Sequence, residues 1–237
     1  YDITSTVVSM SIRGLRVSHN AGFGVPDAGR AVDLARRWEN RPPLTRAVYT
    51  STNPVIIPDP GLEVVYNNGS PTQNLVRVPA WPGDGRHAEQ STPILSIVDV
   101  GQATNTIAAD LSGKAALIQR GVNLFQEKID LAAQAGAAFV VVYNNRDTND
   151  LVFMGGTEFT PIPAVFIGEN DGERLHQVLA TNSAVRAQLR VSGATYSFAV
   201  PDTLLCEHVG VRITADYPQR SDLRIHLRSP QGTLSVL

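Results

Sequence analysis

Residues 112–145 read SGKAALIQRGVNLFQEKIDLAAQAGAAFVVVYNN, and the alternation within this stretch decides the fold. Residues 114–119 are typical of a strand, and a helix is predicted to follow, capped by Asn123 and ended by Gly136. Residues 138–143 are continuously apolar, which predicts a strand covered on both faces. The helix has apolar residues at helical spacing, at Leu124, Ile129, Ala132 and Ala133. This is a strand–helix–strand unit without a catalytic group.

The same alternation extends in both directions from this unit. Residues 94–98 and 163–167 are strand-like, and a helix is predicted at 171–180 with a buried stripe of Leu175, Val178 and Leu179. Alternating strands and helices indicate an α/β domain.

The two ends of the chain follow other patterns. Residues 28–38 have the apolar periodicity of a helix, preceded by Pro26 and Asp27, which suit a helix start. Near the C-terminus, 209–213 and 223–227 alternate as half-buried strands. Residues 229–232, Ser-Pro-Gln-Gly, fit a type I turn. A hairpin is marginal alone, so its partners must lie elsewhere, in residues 55–65 or in sequence beyond Leu237.

Composition excludes several classes of protein. The 237 residues are 43% hydrophobic and carry a net charge of −2, which gives no basic field for nucleic acid. No apolar run approaches the roughly 18 residues of a membrane helix. Cys206 is the single cysteine, so no internal disulfide can form, and a buried apolar role is expected for it.

Catalytic and metal-binding motifs are missing. No serine lies in a Gly-x-Ser-x-Gly elbow, and one cysteine with five scattered histidines does not make a zinc site. Residues 147–150 and the acidic Asp202, Glu207, Asp216 and Asp222 offer oxygen ligands for calcium, but without the spacing of an EF-hand loop. The sequence therefore predicts no catalytic residue, no cofactor site and no metal site in this chain.

Two long loops, residues 72–92 and 144–160, could hold a peptide or protein partner. The candidate contact residues follow the buried strand: Tyr143, Asn144, Asn145, Phe153 and Met154. The alternative is that these five side chains only cap the fold.

Residues 110–179 resemble the protease-associated (PA) domain, a non-catalytic module of secreted hydrolases. The resemblance rests on five short motifs: GK at 113–114, QRG at 119–121, FQEK at 125–128, AGA at 135–137 and IPA at 162–164. It implies a barrel-like sheet flanked by helices.

The flanking segments resemble two parts of a kexin/furin-type subtilase. The sequence RVSHNAGFGVPDAG at 16–29 is similar to the C-terminal tail of the catalytic domain, and EHV at 207–209 with QRSDLRIHLRSPQGT at 219–233 is similar to the P (Homo B) domain. The implied fold class is an α+β multidomain fragment, in which an α/β PA domain precedes the first strands of a β-sandwich or jelly-roll P domain. The implied boundaries are 1–42 (catalytic tail), 43–70 (linker and first P-domain strand), 71–192 (PA domain) and 193–237 (partial P domain).

The resemblance also implies a function. The chain would be a non-catalytic accessory region of a secreted serine endopeptidase, whose triad would lie upstream of Tyr1 and whose P domain would continue beyond Leu237. Its partners would be that catalytic domain and protein or peptide substrates, and calcium would be bound by the parent protease. The alternative is a peptide- or protein-binding module with no role in proteolysis.

Overall fold

The computed structural model describes residues 9–10, 16–17, 27–39, 43–67, 75–146, 149–203, 208–216 and 223–237. The chain divides into two compact units, Tyr1–Thr50 and Ser51–Leu237. Predictions made for Pro26, Asp147, Thr148, Cys206, Glu207 and Asp222 lie outside the described residues.

The first unit contains a short antiparallel pair and one helix. Strands β1 (Ser9–Met10) and β2 (Arg16–Val17) pair, and helix α1 spans Ala28–Arg36. The Asp27 carboxylate accepts a hydrogen bond of 3.0 Å from the Arg30 amide, so Asp27 caps the helix. The helix ends two residues before the predicted Trp38, and its apolar side chains Val32 and Leu34 are exposed.

The second unit is built on an eight-stranded sheet in the order β4-β3-β10-β6-β7-β8-β9-β5. Strands β6 to β9 are parallel, whereas the remaining pairs are antiparallel. The strands are β3 (Leu62–Asn67), β4 (Leu75–Pro79), β5 (Trp81–Pro82), β6 (Leu95–Asp99), β7 (Ala115–Gln119), β8 (Phe139–Tyr143), β9 (Ala164–Ile167) and β10 (Arg186–Val191).

The sheet closes on itself at Ala80, the single residue between β4 and β5. The Ala80 amide donates to the Leu62 carbonyl at 3.1 Å, and the Gly83 amide donates to the Ala164 carbonyl at 3.1 Å. One length of chain therefore pairs with β3 and then with β9, at opposite ends of the strand order. This closure gives the barrel-like sheet that the sequence resemblance implied.

Both faces of the central strands are buried, as the continuous apolar run predicted. All five residues of β8 are buried. One face contributes Leu117 and Val141 to a cluster that includes Leu175 of helix α3 (Glu169–Thr181). The other contributes Ile118 and Val142 to a cluster with Ile129 of helix α2 (Phe125–Gln134). The two flanking helices therefore each cover a separate apolar cluster.

The start of α2 differs from the prediction. Leu124, not Asn123, occupies the N-cap position, and the Glu127 carboxylate accepts from its amide at 3.3 Å. Asn123 instead donates from Nδ2 to the Ala103 carbonyl at 3.0 Å, which ties two loops together. Leu124 is 70% exposed and does not belong to the buried stripe. The end of α2 at Gly136, with φ of 93°, is as predicted.

Residues 62–191, from the start of β3 to the end of β10, form the barrel, and we call them the barrel module. The two ends of this module lie side by side. Leu62 of β3 and Val191 of β10 are register partners, and the Ser192 amide donates to the Gly61 carbonyl at 2.8 Å. Just outside, the Tyr196 hydroxyl donates to the Asn53 carbonyl at 2.9 Å. Residues 55–65 were expected as one possible partner of the C-terminal hairpin. The part of this range that lies in β3 instead pairs with β4 and β10, because its apolar side chains complete the barrel core.

The C-terminal hairpin consists of β11 (His226–Arg228) and β12 (Leu234–Val236). The Gly232 amide donates to the Ser229 carbonyl at 2.9 Å, which confirms the predicted turn. The prediction of a strand at residues 209–213 is wrong. That segment forms no strand, and Val209, Val211 and Ile213 are each about half exposed. Alternation alone does not make a strand when no neighbouring strand supplies hydrogen bonds.

Candidate functional site

Two loops lie against each other at one side of the barrel, residues 81–91 and 153–161, and we call them the loop pair. The Asp84 amide donates to Thr157 Oγ1 at 2.8 Å, and the Gly156 amide donates to Asp84 Oδ2 at 3.2 Å. Arg86 Nη1 donates to the Pro161 carbonyl at 3.2 Å. These bonds cross between the loops, so the loop pair is a connected structure rather than two separate flexible segments.

The Thr157 and Thr160 side chains hold the interior of the loop pair. Both are buried, and their hydroxyls donate to the carbonyls of Met154 and Thr157, each at 2.9 Å. A Cβ atom on Gly85 would lie 2.0 Å from Thr160 Oγ1 and 2.2 Å from the Thr157 carbonyl oxygen. Gly85 therefore permits the close approach of the two loops.

Large aromatic side chains project from this scaffold into solvent. Trp81 is 48% exposed, Phe153 61% and Phe159 84%. Exposed aromatic side chains on an ordered scaffold are typical of protein-interaction surfaces, where aromatic anchors contribute most of the binding energy. The loop pair is therefore the candidate contact surface of this module.

The structure separates the five predicted contact residues into two groups. Tyr143, Asn144 and Met154 are buried, with Tyr143 and Met154 in the apolar core. Asn145 and Phe153 are exposed. Phe153 alone among the five lies on the loop pair with its side chain in solvent, so it is the predicted residue that the geometry favours for contact with a partner.

Asn144 has a structural role at the carboxyl end of β8. Its Oδ1 accepts from Arg120 Nη1 at 3.0 Å and from the Asn145 amide at 3.0 Å, and its Nδ2 donates to the Asp150 carbonyl at 3.2 Å. Burial of polar groups is tolerated when they are hydrogen-bonded in this way. Burial also raises the pKa of the Tyr143 hydroxyl, with Glu173 and Asp99 acting in the same direction.

The loop between β7 and α2 presents a second exposed surface. Val122 is 84% exposed and has a φ of 65°, which is unfavourable for a β-branched residue. Behind this loop, buried Lys128 donates from Nζ to the Gln102 carbonyl, and burial lowers the pKa of its ammonium. Leu124 was predicted to belong to the buried stripe of α2, whereas no prediction was made for Val122.

Among the oxygen ligands considered for calcium, Asn149 has hydrogen-bond partners within the chain. Asn149 Nδ2 donates to Asp171 Oδ2 at 2.9 Å, and Asn149 Oδ1 accepts from the Asp171 amide at 3.4 Å, near the start of α3. Within the described ranges, no group of three or more His, Cys, Asp or Glu side chains is arranged to hold a metal ion.

Comparison with known proteins finds two family matches. Residues 71–175 match the family model of the PA domain, and residues 206–237 match that of the proprotein convertase P-domain. The fold is therefore that of a PA-domain protein. The chain therefore contains a segment similar to the PA domain and, after it, a segment similar to the P-domain, as the sequence resemblance indicated.

The similar proteins are proteases and peptidases. Human proprotein convertase subtilisin/kexin type 5 is 35% identical over 88 residues, which are 37% of this chain and 5% of that protein. The minor extracellular protease Vpr of Bacillus subtilis is 34% identical over 96 residues, which are 40% of this chain and 12% of that protein. This chain thus corresponds to a small part of the relatives it matches.

One of the similar solved structures resembles part of this chain. An aminopeptidase from Aneurinibacillus sp. strain AM-1 aligns with a TM-score of 0.43 and 26% identity, over 56% of this chain and 30% of that chain. Among the described residues, no helix is both long and apolar enough to cross a membrane. The catalytic tail assigned to residues 1–42 and the domain boundaries remain predictions.

Proposed function

We propose that this chain is a non-catalytic accessory region of a secreted subtilisin/kexin-like serine endopeptidase. The PA domain modulates which substrates reach the catalytic cleft, and the P-domain segment stabilises the catalytic domain. The observation that carries the proposal is the joint presence of a PA domain and a P-domain segment in one chain. Aminopeptidases are also among the similar proteins, but the P-domain match favours the subtilase.

The architecture supports an accessory role. The barrel module begins and ends at adjacent, hydrogen-bonded strands, so it can be inserted into a host domain without separating the host chain on either side. Its exposed aromatic side chains lie on the ordered loop pair, which is suited to contact with a protein substrate. The extracellular relative supports secretion, and calcium in the parent protease remains part of the proposal.

The first test is an assay of the purified chain against casein. We expect no hydrolysis, because the chain lacks the motifs of a subtilase triad. Casein hydrolysis that a serine-directed inhibitor abolishes would show that the chain is itself a peptidase, and would overturn the proposal.

A second test concerns substrate access in the full-length protease. We expect the double substitution Phe153→Ser and Phe159→Ser to raise KM for a protein substrate about 3- to 10-fold, since the two exposed aromatic side chains together should contribute on the order of 1 kcal/mol to the contact. KM for a short peptide substrate should not change. Ile94→Ser is the matched control, because Ile94 is 60% exposed but lies outside the loop pair.

The alternative function is peptide or protein binding without any role in proteolysis. It is favoured by the same exposed aromatic side chains. Titration of the chain with denatured casein, followed by NMR, separates the two when combined with the kinetic test. Binding at the loop pair with no change in protease KM would support the alternative.

A further inference from the structure

The C-terminal hairpin touches the loop pair through a cluster of charged side chains. Glu89 of the loop pair receives both contacts: Arg224 Nη2 lies 2.6 Å from Glu89 Oε1, and His226 Nε2 lies 2.8 Å from Glu89 Oε2. Arg224 Nε also lies 3.1 Å from His226 Nε2. Arg224 and His226 are two residues apart, so they lie on the same face of the extended chain. Both oxygens of one carboxylate therefore face the hairpin.

The hairpin is too small to hold its position alone. Its strands have three residues each, and an isolated two-stranded hairpin is marginal in water. Val236 of β12 is about half exposed, so apolar burial of this side chain is incomplete. A two-oxygen contact with Glu89 is thus a substantial part of what can fix the hairpin on the barrel module.

The charged groups near Glu89 shift its pKa and that of the neighbouring His87. Burial alone would raise the pKa of Glu89, but its hydrogen bond and attraction to Arg224 hold that pKa below its ordinary value. His87 faces the same group: burial and then the Arg224 charge lower its pKa, against the opposing effects of Glu89 and Asp84 and with a further lowering by His226. Arg224 and His226 thus contact Glu89 directly, and Asp84 is the other carboxylate that acts on His87.

Protonation of His87 and protonation of Glu89 both weaken docking of the hairpin. Burial lowers the pKa of His87 most, but the charges of Arg224 and His226 lower it further and lie near it only while the hairpin is docked. As pH falls below the ordinary value of 6.5, protonation of His87 therefore opposes docking through these charges. A carboxylate with a lowered pKa loses its contribution as pH falls below its ordinary value of 4.5. Acid therefore weakens the contact in two stages, first at His87 and then at Glu89.

We propose that Glu89 is a charge clamp that docks the C-terminal hairpin onto the loop pair at neutral pH and releases it in acid. The clamp links the part of the chain that matches the P domain to the surface that carries the exposed aromatic side chains. It does not depend on the proposed role in proteolysis, because it concerns a contact within this chain.

The test uses hydrogen exchange of the full 237-residue chain, followed by NMR and expressed as protection factors. At pH 7.5, Glu89→Gln keeps the shape of the side chain but removes its charge, and should lower protection of the hairpin amides about 2- to 5-fold, the range of a partly exposed ion pair. Protection in β8 should not change, which shows that the barrel remains folded. Glu158→Gln is the control, since Glu158 lies in the other half of the loop pair.

A charge exchange separates docking from general destabilisation. Glu89→Arg alone should release the hairpin, and Glu89→Arg combined with Arg224→Glu should restore its protection at pH 7.5. Unchanged hairpin protection in Glu89→Gln, an equal loss in Glu158→Gln, or no restoration by the exchange would each overturn the clamp.

The pH response is tested by repeating the measurement at pH 5.5. Hairpin protection in the wild-type chain should fall relative to pH 7.5, and His87→Gln should remove most of that fall. A fall of the same size in Glu89→Gln and in the wild type would show that acid acts elsewhere, and would overturn the release in acid.

Discussion

Val122 combines an unfavourable backbone conformation with an exposed side chain. A β-branched residue at φ of 65° is strained, and a side chain that is 84% exposed recovers little of that cost through packing. Strain of this kind clusters at functional sites. The position therefore has a conformational cost that a change of residue can remove.

We expect Val122→Gly to stabilise the chain by about 0.5–1 kcal/mol, since glycine adopts positive φ freely but loses more entropy on folding. Urea unfolding measures the free energy of unfolding. Val152→Gly, at a partly buried position without positive φ, is the contrasting control and should destabilise. A loss of stability in Val122→Gly would show that the side chain has a packing role.

His176 forms an ion pair with Asp99 that links α3 to the end of β6. The hydrogen bond to Asp99 raises the pKa of His176, although burial acts in the opposite direction. Since the folded-state pKa is raised, the contribution to stability is present below about 6.5 and is lost as pH rises through the raised value. The pair is partly exposed, so its contribution is modest.

An NMR titration of the His176 ring checks this direction. Asp99→Asn should lower the His176 pKa toward 6.5, whereas Asp110→Asn, which lies before β7, should leave it unchanged. The idea fails if His176 titrates at or below 6.5 in the wild-type chain.

At the candidate site, sequence reasoning located the loops but not the side chains within them. Phe153 and Met154 are adjacent and both apolar, yet one faces solvent and the other is fully buried. Only the fold, which packs Met154 under the loop pair, distinguishes them. Glu89 and Phe159 gave no local signal, because their importance depends on the chain segments that meet beside them.

Helix α2 shows which features of a single element can be predicted from local sequence patterns and which cannot. Its end at Gly136 was predictable, because positive φ after a helix favours glycine. Its start was not, because Asn123 suits a cap by type but uses its amide to bond to Ala103. Buried strands such as β8 were predictable from continuous apolar residues, whereas residues 209–213 lacked the neighbour that a strand requires.

Gly136, at the end of α2, and Gly113, before β7, allow a comparison of two glycines. A Cβ atom on Gly136 would lie 3.0 Å from Ser112 Cα, whereas one on Gly113 would meet nothing within 4 Å, although both have positive φ. We expect Gly113→Ala to cost about 1 kcal/mol of unfolding free energy for backbone strain, and Gly136→Ala about 2–4 kcal/mol for strain and overpacking.

Urea unfolding of both variants measures the two costs. Equal losses would show that the contact with Ser112 relaxes without cost, and would contradict the steric argument.

At the scale of the whole molecule, the barrel module has the features of an independent domain. Its sheet is closed, its two apolar clusters lie within it, and its ends are hydrogen-bonded to each other. We expect a chain shortened to residues 58–195 to fold and to unfold in a single transition, because a core of this kind supports cooperative unfolding.

Calorimetry and amide exchange of the shortened chain check this expectation. The protection factors of β7 and β8 should match those in the full chain. A loss of protection in these strands would mean that the flanking segments contribute to the core.

The adjacent ends of β3 and β10 also determine how the module responds to mechanical force. Tension on the chain at Gly61 and Ser192 acts on one end of an antiparallel pair, so it would break the hydrogen bonds one after another, beginning beside the Leu62–Val191 pair. Strands that are pulled apart from one end in this way resist much less than strands that must slide past each other. The barrel is therefore expected to open at low force when the chain is pulled at these two positions.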